Sequence, residues 1–128
     1  MENITNSNIP ILLVFDLDHT IINLNTDVEL IKIMKKKLPG KIKDNEKKEN
    51  WSSYMNSILE IFHEENFQIS DIKKIINSLE LNEGMKELFE FIEAKKENFE
   101  VVIFSGCNTI FVEWVIKNNK IDHLIKKF

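Results

Sequence analysis

Arginine is absent from this 128-residue sequence, and all 17 basic residues are lysine. A planar guanidinium fork that grips a phosphate or carboxylate at two points is therefore excluded. Cysteine occurs once, at Cys107. That rules out an internal disulfide and any paired-cysteine metal motif. A reducing, cytoplasmic setting is the default for such usage. Proline occurs twice and glycine three times, so there is no low-complexity linker. The longest early apolar run, Ile11 to Phe15, is far short of a membrane span. The first eight residues are polar and are expected to fray. They hold no lysine and no small-residue cleavage site follows, which argues against a secretory signal. The net charge of -4 gives no global field to attract nucleic acid or an anionic membrane, so neither is expected as a partner.

What is present fits one globular domain, 43% hydrophobic and 30% charged. The run Ile9 to Phe15 stops sharply at Asp16 and reads as a strand buried on both faces, as in a parallel sheet. Helical spacing begins at Thr26, with Val28, Ile31 and Leu38 sharing a face and Pro39-Gly40 ending it. Residues 41–50 read as a solvated connector. Trp51, Tyr54, Met55, Ile58, Leu59 and Phe62 form a second helical stripe. Ser70-Asp71 looks like the start of a third helix and Asn82 like the cap of a fourth. Val101 to Ser105 is a second strand, Gly106 permits a tight turn after it, and Asn108-Thr109 opens a last helix with Ile110, Phe111, Trp114 and Val115 on one side. The tryptophans and the nine phenylalanines are expected in packing, and Cys107 as a small buried residue. No metal-binding spacing surrounds His63, and no partner is apparent for His123.

Two strands separated by helices imply an α/β domain with a parallel sheet. Residues 9–24 and 80–128 would form that core. The stretch 25–79 is too long for one crossover and would form a separate helical cap. Ligands of open α/β sheets sit at the carboxyl ends of strands. Two polar clusters fall at such ends: Asp16-Leu17-Asp18-His19-Thr20 and Ser105-Gly106-Cys107-Asn108. Carboxylates one residue apart can divide the work, one as nucleophile and one as general acid then base. Phosphoryl transfer needs little beyond these, a divalent cation and donors for the equatorial oxygens. Thr20 and Ser105 offer hydroxyls, and the backbone around Leu17 and Gly106 offers N–H groups.

Val14 to Ile22 resembles the first motif of the haloacid dehalogenase (HAD) superfamily of phosphatases, and Ile103-Phe104-Ser105-Gly106 resembles its second. Leu12 to Asp27, Trp51 to Met55, Gly84 to Phe89 and Asn108 to Val115 are together similar to the PHOSPHO family, whose members are phosphatases of pyridoxal phosphate and of phosphoethanolamine and phosphocholine. The resemblance implies an incomplete HAD-like parallel sheet with a helical cap inserted after the first strand. It implies Mg²⁺-dependent hydrolysis of a small phosphomonoester through a phospho-aspartate. Asp16 would be the nucleophile and Asp18 the acid and base. Both would hold Mg²⁺, Asp18 through its backbone carbonyl. Ser105, Gly106 and Thr20 would bind phosphate. Asp27, in Asn25-Thr26-Asp27, would lie near the leaving group, the alternative being a helix cap. Gly106 stands where the family often carries an acidic residue. The family's lysine-bearing third motif and the Gly-Asp pair of its fourth do not occur in these residues. Little or no phosphatase activity is therefore expected of this chain alone. The alternative to an enzyme is a truncated fragment or isoform acting at most as a binding module.

Overall fold

The computed structural model describes residues 9–128; residues 1–8, expected to fray, lie outside them. The chain runs β1 (Ile11–Phe15), α1 (Thr26–Lys37), α2 (Trp51–Glu64), α3 (Ile69–Asn77), α4 (Met85–Ala94), β2 (Phe99–Ile103), α5 (Thr109–Asn118) and β3 (Ile125–Lys127). The sheet has three strands in the order β1-β2-β3. β1 and β2 are parallel, with Ile11 opposite Phe99 and Phe15 opposite Ile103. β3 is parallel to β2, with an irregularity between Val101 and Val102. The α/β expectation with a parallel sheet holds. β3 was not legible in the sequence, because Ile125-Lys126-Lys127 is short and mostly charged.

Side chains alternate across a strand, so Leu13, Phe15, Val101 and Ile103 share one face. That face meets the helices: Phe15 and Phe89 stack with ring centres 5.5 Å apart, and Phe89, Ile92, Phe111 and Val115 are buried against it. Leu12 and Val14 point the other way and are 57% and 60% exposed. Ile11 on the outer edge is 61% exposed. The expectation that β1 is buried on both faces is therefore corrected. Its apolar run was read as a buried strand, but among the described residues helices cover only one face and β2 only one edge. Phe104, just beyond β2, is 82% exposed, and Phe91 and Trp51 also reach solvent, so aromatic residues are not all packed inside.

The helices form where the apolar spacing placed them, with shifts in face and cap. In α1 the buried residues are Leu30, Ile31 and Met34, while Val28 is exposed. The helix ends at Lys37, and Gly40 adopts the left-handed φ of 75° that follows it. α3 begins at Ile69, and Asp71 Oδ2 accepts from the backbone N–H of Gln68 at 3.0 Å, so Ser70 is not its cap. α4 is preceded by Gly84, at φ 84°, instead of being capped by Asn82. Asn82 is used otherwise: its N–H donates to Ile21 O at 2.8 Å, beside an antiparallel bridge between Ile22 and Leu81. In α5 the buried side is Phe111, Val112, Val115 and Ile116, with Ile110 outside. His123 does have a partner, Glu93 Oε2 at 2.7 Å. The buried residues of α1–α3 and those of the sheet and α4–α5 make one continuous cluster. No helix among the described residues is long and apolar enough to cross a membrane.

Candidate active site

The site is built on the chain's exit from β1. Asp16 stays extended, and its Oδ1 accepts from the N–H of Leu17 at 2.7 Å. The chain then makes a wide turn, closed by the Ile22 N–H donating to Leu17 O at 3.2 Å. His19 takes a positive φ of 58° within it. Leu17, Ile21 and Ile22 are fully buried. These apolar anchors fix the turn and leave Asp16 exposed and Asp18 half-buried at the strand end. Thr20 is half-buried on the same turn.

Asp18 is held from the next element. Its Oδ1 accepts from the backbone N–H of Thr26, the first residue of α1, at 2.9 Å. An N–H at a helix start has no partner within the helix, so it favours a carboxylate there. Thr26 is fully buried. Its hydroxyl lies 3.1 Å from the sulfur of Cys107. The Cys107 N–H donates to Ser105 Oγ at 3.1 Å. A continuous chain of contacts thus runs Asp18–Thr26–Cys107–Ser105 and locks the loop after β1 to the loop after β2. The Phe104 N–H donates to Phe15 O at 2.8 Å and seals the two loops at their base. Ser105 accepts in this network, so its own proton is free to be donated to a ligand.

Gly106 needs none of a glycine's freedom. Its φ is not in the left-handed region, and an added Cβ would meet nothing within 4 Å. The chain does bend at Gly106-Cys107 after β2, but that bend does not demand glycine; the missing side chain leaves open space beside the site. Asn108 caps α5, accepting from the Ile110 N–H at 3.0 Å.

Asp27 is almost fully buried in the first turn of α1. The cap of α1 is Asn25, whose Oδ1 accepts from the Val28 N–H at 3.0 Å, so Asp27 is not spent on capping. Its Oδ2 instead accepts from the indole Nε1–H of Trp51 at 2.7 Å. Burial pushes the Asp27 carboxyl above its usual range, the Trp51 bond pulls it back, and the charge of Asp18 adds to the rise. The Cys107 thiol is pushed up to about 12, chiefly by burial; the Thr26 bond opposes this, and the charges of Asp18, Asp27 and Asp16 reinforce it. Three carboxylates therefore converge on the space around Cys107. A thiol this hard to ionise is no nucleophile. Sequence reasoning missed the links of Trp51 and Thr26. Only the acidic character of Asp27 and the capping pattern at Asn25 hinted at them.

Asp16 and Asp18 offer hard oxygen donors of the kind Mg²⁺ takes. That ion is commonly held by one or two carboxylates, with water and phosphate oxygens completing its shell. Among the described residues no group of three His, Cys, Asp or Glu side chains is placed to hold a metal ion. The fit is thus to an ion that shares its shell with water and substrate.

The fold is that of HAD hydrolases. It matches a phospho-aspartyl intermediate analogue of phosphoserine phosphatase, TM-score 0.56 at 20% identity, over 88% of this chain and 54% of that one. It also matches the HAD-hydrolase YfnB of Bacillus subtilis bound to magnesium, TM-score 0.56 at 12% identity, over 92% of this chain and 62% of that one. The profile of the family described as "Putative Phosphatase" matches residues 11–128, and the chain belongs to that family. It is 35% identical over 108 residues to the pyridoxal phosphate phosphatase PHOSPHO2 of Homo sapiens, covering 84% of this chain and 45% of the relative. It is 30% identical over 103 residues to the phosphoethanolamine/phosphocholine phosphatase of Gallus gallus, covering 80% of this chain and 38% of the relative. The chain spans about half the length of the curated relatives it matches.

Proposed function

We propose that the site performs hydrolysis of a small phosphomonoester. A carboxylate oxygen of Asp16 attacks phosphorus, forming an O–P bond while the bond to the leaving oxygen breaks. Asp18, protonated in this step, gives its proton to that oxygen. Asp18 then takes a proton from water as the water attacks the aspartyl-phosphate, which releases phosphate and restores Asp16. Ser105 Oγ–H and the backbone N–H groups at Leu17 and Gly106 supply donors to the phosphate oxygens, with Thr20 beside them. Asp16 and the backbone carbonyl of Asp18 would hold Mg²⁺, which when bound neutralises charge between the carboxylate and the phosphate. Residues 25–79 would act as a helical cap over the strand ends, with Asp27 facing the leaving group. The substrates this reading favours are pyridoxal phosphate, phosphoethanolamine and phosphocholine, the compounds that name the relatives. The observation that carries the proposal is the contact chain Asp18–Thr26–Cys107–Ser105, which holds the two strand-end loops together as one surface.

A second reading has its own support. Among the described residues no three His, Cys, Asp or Glu side chains are grouped to hold the ion, and Ile11 on the outer edge of β1 is 61% exposed. On that reading the chain binds phosphorylated metabolites without turning them over. A chromogenic phosphomonoester assay with Mg²⁺ separates the two. Turnover lost in Asp16→Asn supports catalysis. Turnover that survives Asp16→Asn overturns the assignment of the nucleophile. Saturable binding without turnover supports the second reading.

A further inference from the structure

Trp51 opens α2, with Asn50 as its cap accepting from the Ser53 N–H at 2.9 Å. The indole is half exposed, yet its only polar atom points inward to Asp27 at 2.7 Å. Trp51 and Asp27 border a cavity of about 140 Å³, together with Met55, Gly106, Asn108 and Phe111. This is the size of a cavity that holds one benzene ring, about 150 Å³. It lies between the helices α1 and α2 and the loop leaving β2, which puts it beside the strand-end loops. Its walls carry aromatic faces and one carboxylate, and no lysine lines it. The second oxygen of Asp27, Oδ1, has no hydrogen-bond partner among the described residues. A carboxylate with one oxygen fixed and the other open, in an aromatic-walled pocket without a cation, is suited to a hydrogen-bond-donating or cationic group.

We propose that Trp51 is a positioning residue: its indole N–H fixes the Asp27 carboxylate so that Oδ1 receives the donor-bearing end of the leaving group in this cavity. This rests on the phosphomonoester reading for what occupies the neighbouring loops. Trp51 itself touches no reacting atom. It acts by removing one of the two orientations open to the carboxylate and by supplying the donor a buried carboxylate requires.

Two probes that differ only in the donor test this, phosphoethanolamine and ethyl phosphate, each titrated calorimetrically with Mg²⁺ present. The wild-type protein is expected to bind phosphoethanolamine at least about tenfold more tightly. Trp51→Phe keeps a ring and removes the N–H. It is expected to lose about tenfold in affinity for phosphoethanolamine and less than about twofold for ethyl phosphate. Asp27→Asn should show the same selective loss, and the double variant should lose no more than Asp27→Asn alone, as coupled residues do. Equal wild-type affinity for the two probes overturns the proposal, as does binding of neither. Parallel losses for both probes in Trp51→Phe, or losses that add in the double variant, also overturn it. Phosphate release is read separately: selective binding without turnover counts against the catalytic reading and leaves this one standing.

Discussion

Cys107 offers a quantitative test of how the site is assembled, because its thiol reports on the carboxylates around it. Its pKa is pushed up from 9.0 to about 12. At pH 8 the thiolate would be about one part in ten thousand, against about one in ten for an ordinary thiol of pKa 9.0. Alkylation by iodoacetamide should therefore run about a thousandfold slower in the native protein than in urea, since only the thiolate reacts. Asp18→Asn removes one of the charges that raise the pKa and should speed native labelling. Thr26→Val removes the bond that favours the thiolate and should slow it. The same shift couples to stability. The folded pKa lies above the unfolded one, so the native state holds the proton longer. The stability is fully present below about pH 9 and is lost as pH rises from there toward 12, by about 1.4 kcal/mol per pH unit. The reasoning fails if native labelling at pH 8 comes within tenfold of the unfolded rate, or if alkaline unfolding is unchanged in Cys107→Ala.

Asp27 should make stability fall as pH rises above the ordinary carboxyl value of 3.8, because its folded pKa is raised and the native state keeps its proton longer. Asp27→Asn, whose amide oxygen can still accept from Trp51, should remove that fall and be more stable than wild type at pH 7; urea midpoints at pH 3 and 7 measure this, and a variant less stable at pH 7 would contradict it. The exposed Ile11, Leu12 and Val14 of β1 should drive self-association, since an exposed apolar strand templates pairing. Val14→Lys places a charge on that strand, where Val14 is 60% exposed, and should weaken self-association at least about tenfold by sedimentation velocity; an unchanged concentration dependence would show that β1 is not responsible.

The sequence alone determined the elements that obey local rules. An apolar run halted by Asp16 gave β1 and the start of the site, and repeating apolar positions gave five helices in their places. It also exposed Asp16, Asp18 and Ser105 as strand-end residues, because polar groups that interrupt buried runs stand out in one dimension. Which face of each helix is buried depends on neighbours the local pattern does not contain, so Val28 and Ile110 were misplaced. The sidedness of β1 followed from the number of strands and helices around it, a property of the whole sheet. β3 formed because β2 offered it a parallel edge, not because Ile125-Lys126-Lys127 is a strong strand sequence. The contacts Asp27–Trp51 and Thr26–Cys107 span 24 and 81 residues, and no spacing rule joins partners so far apart. Local chemistry thus named the reactive turn, and only the packed chain decided which distant side chains hold it.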